Sequence, residues 1–206
     1  MKNKRLAYIA VFCSGKGTNL QAIIESVKRG YIRARLRLVI SDRKDAYALV
    51  RAKKAHIDTR FIDRKKFSSK VEFESEILKY LKQYNIDVIV LAGFMKVLSD
   101  GFVRRYKNRI VNIHPALLPS FKGTEGIKDA FCYGVKVTGS TVHFVDEGVD
   151  TGPIILQETV RVEDHDTEET LARKIHEKEH RIYPKAIKLL VENRLKIAGR
   201  KVTIKK

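Results

Sequence analysis

In the stretch VNIHPALLPSFKG (residues 111–123), an amide and an imidazole stand two residues apart, at Asn112 and His114. On a strand, two apart means the same face. A polar side chain buried there without a partner costs about 1–3 kcal/mol, so the pair needs partners or a ligand. An amide donor and an imidazole aimed at one point suit acyl chemistry, the donor holding a developing oxyanion and the imidazole moving a proton. A carboxylate beside the ring would fix its orientation, and Asp150, in the turn DEGVDTGP, is the best candidate. His143, in TVHFV, reads as structural. No G-x-S-x-G elbow is present, and neither Cys13 nor Cys132 has a catalytic context, so a covalent acyl-enzyme is not favoured.

Two further motifs carry chemistry. CSGKGTNL (13–20) joins an apolar run to a helical pattern; Gly15 and Gly17 allow close approach of backbone, and Thr18 and Asn19 are expected as helix caps. Free N–H groups at such a helix start attract an anion. The stretch is neither a P-loop nor G-x-G-x-x-G, since Leu20 stands at the third glycine position, so a single phosphate fits better than a dinucleotide. An unoccupied tight turn explains the same residues equally well. HEKEH (176–180) matches the H-E-x-x-H zinc pattern, but no third ligand follows at helical spacing. A charged helix face is the preferred reading, and no metal is expected.

These motifs need strand ends and helix starts to hold them. Residues 6–12 are continuously apolar, as in a strand buried on both faces, and 18–30 have helical apolar spacing closed by Gly30. Strand patterns recur at 34–40, in TRFI, at 87–93 and in RIVNIH; helical patterns recur at 46–56, 70–85 and 99–106. This alternation predicts a mainly parallel, Rossmann-like sheet flanked by helices. GSTVHFV and PIILQETVRV, on either side of the acidic turn, predict an antiparallel pair. One long helix follows, capped by Asp166 or Thr167 and broken or kinked at Pro184, with one short strand expected in the tail. Gly126 in FKGTEGIKDAF suggests a mobile segment and is assigned no catalytic role. The expectation is one α/β domain over 1–206, with a phosphate-binding half (1–110) and a catalytic half (111–206).

The formal net charge is +18, and the excess lies largely before residue 71. Such a surface attracts anions: nucleic acid, phosphorylated metabolites or polycarboxylates. A solubilising surface is the plainer account. No apolar run is long enough to span a membrane, the N-terminus reads as a first core strand rather than a signal peptide, and two unpaired cysteines fit a reducing cytoplasmic setting.

The segments SGKGTNLQAII, VLAGFMKVLS, NIHPALLPSFKG, TVHFVDEGVDTGPIILQ and EHRIYP, in this order, resemble the phosphoribosylglycinamide formyltransferase family of folate-dependent enzymes. The resemblance covers nearly the whole chain. It implies a single-domain formyltransferase fold and direct transfer, through a tetrahedral intermediate, from 10-formyltetrahydrofolate to the amine of 5-phosphoribosyl-glycinamide in purine synthesis. It places the catalytic set on Asn112, His114 and Asp150, and phosphate binding on Gly17, Thr18 and Asn19. Glu179 matches the acidic contact to the glycinamide substrate, with His176 one turn earlier as a second contact. Folate would meet Met95, Lys96, Val97 and Leu98, the loop containing Asp146, and Lys70. The resemblance also implies a cis bond at Leu118–Pro119. HEKEH thereby becomes a wall for substrate rather than a zinc site.

Lys70 and Lys96 stand where the common pattern has Arg, which keeps the charge without the bidentate fork. Loop 120–130 lacks the His often found there. The nearest rivals share the core: methionyl-tRNA formyltransferase normally adds a C-terminal domain, and formyltetrahydrofolate deformylase an N-terminal one, and neither fits this length. A basic RNA-binding module without catalysis would leave NIHP and DEGVD unexplained. The expected partners are small molecules, with neither nucleic acid nor membrane, in a monomer or homodimer.

Overall fold

The structure is a computed structural model and describes residues 5–205. Its centre is a seven-stranded sheet in the order β3-β2-β1-β4-β5-β6-β7. The strands are β1 Ala7–Phe12, β2 Ala34–Ser41, β3 Asp58–Phe61, β4 Val88–Leu91, β5 Ile110–His114, β6 Val137–Phe144 and β7 Ile154–Arg161. The first five run parallel; β6 adds antiparallel to β5, and β7 antiparallel to β6. Helices α1 Thr18–Lys28, α2 Tyr47–Lys54, α3 Lys70–Gln83, α4 Asp100–Arg105, α5 Gly126–Tyr133 and α6 Glu168–Val191 connect or cover them.

The continuous apolar runs are explained by burial on both faces. Along β1, Ile9 and Val11 join the core beneath α1, α2 and α6, while Ala10 and Phe12 join the core beneath α3 and α4. Period-two alternation thus feeds two apolar layers from one strand. On β5, Val111 and Ile113 face the first layer and Ile110 the second, so Asn112 and His114 share the face of Ile110. From α6, the Tyr183 hydroxyl donates to the Leu91 carbonyl at 2.7 Å and lies 3.1 Å from the Val111 carbonyl, tying the helix to β4 and β5 just behind the site.

Several expectations change. Neither Thr18 nor Asn19 caps α1; the N-cap is Gly17, in a left-handed conformation with no side-chain bond. A Cβ on Gly17 would lie 2.7 Å from the Ala48 Cβ, so the turn needs glycine for both its φ of 70° and its space. Thr167 caps α6 in a capping box with Thr170, and Pro184 lies inside a continuous helix. The tail forms a hairpin, β8 Leu195–Ala198 with β9 Lys201–Ile204, rather than a single strand. Gly126 is the first residue of α5. It is small because the His114 ring packs on it: a Cβ there would lie 3.1 Å from Nε2. The Leu118–Pro119 peptide is cis.

Candidate active site

The sheet order reverses between β1 and β4, since β2 and β3 lie on one side of β1 while β4 and β5 lie on the other. In open α/β sheets ligands bind in the crevice outside the strand ends at such a switch point. Here the crevice is a cavity of about 650 Å³, walled by the loops after β1, β4 and β5, by the β6–β7 turn and by α6.

At its centre Asn112, His114 and Asp150 converge. The Asp150 Oδ2 lies 3.4 Å from His114 Nδ1 and accepts the Gly123 N–H at 2.9 Å. The Asn112 Nδ2 lies 3.4 Å from Asp150 Oδ1 and 3.3 Å from His143 Nε2. Burial pushes the Asp150 carboxyl up, but hydrogen bonding from His143 and Gly123 and the charge of the two imidazoles outweigh it, so the group sits below the usual carboxylate value. A carboxylate that stays ionised while nearly enclosed is suited to orienting an imidazole. Asp150 also adopts a φ of 52°, left-handed backbone rare outside glycine though tolerated by Asp.

His143, which reads as structural in the sequence, also lines this cavity. Its ring is buried, Nδ1 meets the Phe144 carbonyl at 2.8 Å and Nε2 faces the Asn112 amide and Asp150. The available signal was its register: β6 pairs antiparallel with β5, which sets His143 directly opposite Asn112. The loop after β5 also takes part. His114 Nε2 lies 2.7 Å from the Phe121 carbonyl, and Phe121 holds a left-handed φ of 51°, which is strained for so bulky a residue. The FKGTEGIKDAF segment, assigned no catalytic role from sequence, is therefore tied through Phe121 and Gly123 to both members of the His–Asp pair. Thr141 fixes the start of that loop, accepting the Leu118 N–H at 3.0 Å and donating to the Ala116 carbonyl at 2.7 Å.

One end of the cavity is polar. Gly17, Thr18 and Asn19 line it at the start of α1, where the first turn's N–H groups have no helical acceptors. The Asn19 amide donates to Glu179 Oε2 at 2.8 Å, leaving its own Oδ1 buried without a hydrogen-bond partner. Glu179 is buried, and His176 Nδ1 approaches the same Oε2 at 3.0 Å. That hydrogen bond holds the His176 imidazole above its ordinary value. His180 is held below its ordinary value by burial, and its Nε2 has no hydrogen-bond partner. The H-E-x-x-H motif is therefore split, with His176 and Glu179 at the cavity wall. Among the described residues no group of three His, Cys, Asp or Glu is placed to hold a metal ion.

The other end is apolar. Met95, Lys96, Val97 and Leu98 line it after β4, and Asp146 and Val149 of the β6–β7 turn are also on the wall. Asp146 holds that turn by accepting the Thr151 hydroxyl at 2.6 Å. Lys70 does not join them: as the first residue of α3 it lies outside the cavity wall. Cys13 follows β1 directly and is buried in the core, and burial pushes its thiol up to about 12, so no thiolate nucleophile forms there near neutral pH.

A model of the formyl transferase family matches residues 7–187. The chain is 45% identical over 189 residues to the trifunctional purine biosynthetic protein adenosine-3 of Gallus gallus, covering 92% of this chain but only 19% of that protein. It is 42% identical over 182 residues to the phosphoribosylglycinamide formyltransferase of Bacillus subtilis (strain 168), covering 88% of this chain and 93% of the relative. The structure of glycinamide ribonucleotide transformylase 1 from Symbiobacterium toebii superposes over 100% of both chains with a TM-score of 0.96 at 45% identity. No helix among the described residues is long and apolar enough to cross a membrane. With the family matched from β1 into α6, over a cavity that gathers the strand-end residues at one switch point, the chain belongs to the formyl transferase family.

Proposed function

We propose that this protein transfers a formyl group from 10-formyltetrahydrofolate to the amine of 5-phosphoribosyl-glycinamide, a step of purine biosynthesis. The observation that carries this reading is that one cavity gathers an anion-binding helix start, a carboxylate–imidazole–amide cluster, and an apolar wall. A phosphorylated amine suits the first and a flat folate ring system the last, with the reacting groups meeting between. The likeness to relatives named for this reaction points the same way.

The formyl folate supplies the one-carbon unit: the acceptor's amine bonds to the formyl carbon as the carbon–nitrogen bond to folate breaks, and the amine's proton passes to the folate nitrogen. The Asn112 amide donates to the oxygen on which negative charge develops, a role generally worth about 10²–10³ in rate. His114, oriented by Asp150, stabilises that charge and carries the proton between the two nitrogens. Its Nε2 faces the Phe121 carbonyl, so segment 120–126 gives up that contact as substrate enters. Gly17, Thr18 and Asn19 hold the phosphate, and Glu179 with His176 holds the glycinamide and ribose. Met95, Lys96, Val97, Leu98 and Asp146 form the folate side, without Lys70.

The deciding experiment is a transfer assay with the formyl folate and three competing acceptors: glycinamide ribotide, water and methionyl-tRNA. Formylated glycinamide ribotide should dominate. Release of free formate would make the protein a deformylase, and formylation of the tRNA would move it to the other rival.

A further inference from the structure

The loop carrying Met95–Leu98 is tied down at both ends. It leaves β4 through Gly93, whose carbonyl accepts the Ser14 N–H at 2.9 Å. The Met95 N–H then donates to Ser14 Oγ at 3.0 Å, and that hydroxyl donates to Asp42 Oδ1 at 2.6 Å. The other oxygen of Asp42 lies 3.6 Å from Lys96 Nζ. At the far end, directly after Leu98, the Ser99 N–H donates to Glu74 Oε1 at 2.6 Å and its hydroxyl donates to Oε2 of the same group. Phe94 and Leu98 are buried, with Phe94 edge-on to Phe12 at 5.4 Å. Between these anchors Met95 is 57% and Val97 60% exposed.

Burial of such side chains is favourable, and the anchors at both ends hold the backbone where these two stay in water. Glu74 is 4% exposed and the Asp42 side chain 5%, and enclosing a carboxylate costs heavily unless hydrogen bonds and charges compensate it. Both acids direct these compensating bonds at the ends of this loop, and neither faces the reacting centre. We propose that Ser14 with Asp42, and Glu74 on the opposite side, are positioning residues that clamp segment 93–99 and keep Met95 and Val97 as a preformed shelf for the flat apolar part of the formyl donor. This rests on the reading of that end as the donor side. A shelf ordered in advance lowers the ordering cost of binding, so the clamp acts on donor affinity and not on the chemical step.

Steady-state kinetics on the full chain, with donor and acceptor varied separately, test it. Ser14→Ala and Glu74→Ala should each raise the donor KM about five- to tenfold, with kcat and acceptor KM within about twofold. Glu74→Gln keeps an acceptor oxygen for the Ser99 N–H and should recover most of the loss. Thermal unfolding checks each variant, and Ser14→Ala, which removes one hydroxyl, carries the test if Glu74→Ala does not fold. Met95→Ala separates the two levels of the argument. If it raises the donor KM while folded Ser14→Ala and Glu74→Ala do not, the clamp is overturned and the donor side stands. If Met95→Ala also leaves donor KM unchanged, both fall. Equal rises in both KM values with a fall in kcat would indicate general loosening and overturn the clamp as well.

Discussion

The two ends of the cavity are built on opposite physical terms. Around α1 and α6, backbone N–H groups, an amide and a buried carboxylate face the space, and Asn19 Oδ1 is left without a partner. Around the loop after β4, apolar side chains stand exposed while the polar groups are spent on holding the backbone. An unsatisfied polar atom and an exposed apolar one are each unfavourable in the free protein; a charged, polar ligand relieves the first and a flat apolar one the second. The Asn112–His114–Asp150 cluster lies between them, where two such ligands would meet.

The contrast can be broken at its centre first. His114→Ala and Asp150→Ala should each lower kcat by about 10²–10⁴, and Asn112→Ala by about 10²–10³. Circular dichroism should report an intact fold; near-normal turnover in a folded His114→Ala preparation would remove the mechanism. At the polar end, Gly17→Ala meets both the Ala48 contact and the left-handed φ, so it should cost about 1–3 kcal/mol in urea unfolding and weaken acceptor binding. At the apolar end, Met95→Ala should weaken only the donor, by roughly tenfold in KM; an equal loss for the acceptor would erase the division.

Smaller effects sharpen the picture. Glu179 raises the His176 pKa, so the pair's contribution to stability is fully present below the ordinary imidazole value of about 6.5 and fades as pH rises through the higher folded value. The His176 side chain is 47% exposed, and solvent screening keeps that contribution below about 1 kcal/mol. The stability gap between the protein and His176→Gln, measured by urea midpoints, should therefore narrow from about pH 6 to about pH 9. Lys70→Ala should change either KM by less than about twofold, because that side chain lies outside the cavity wall.

Much of this was readable in the chain, and the failures are instructive. The strands buried on both faces announce themselves as unbroken apolar runs, and period two alone puts Asn112 and His114 on one face. Asp150 was reachable as the acidic turn between two strand patterns. The place of His143 on the cavity wall was not legible, because its neighbours are apolar and its position depends on which residue lies across the ladder. The close approach at Gly126 shows only in the fold, because glycine has the same appearance whether it permits motion or admits a histidine ring. The capping residue of α1 was misread because Thr and Asn are good caps in general, whereas the crowding by Ala48 selects Gly17.

By itself the sequence determined the strand and helix periods, the polar groups that had to sit at strand ends, and a family resemblance carried by several separated motifs. These are local or additive properties, set by side-chain spacing and type. Only the tertiary structure decided that His143 faces Asn112, that a loop carbonyl meets His114, that Lys70 stays outside the cavity and that Glu74 and Asp42 serve a loop distant in sequence. Each of those follows from register and from the closing of space between elements, which no stretch of chain specifies until the sheet has formed.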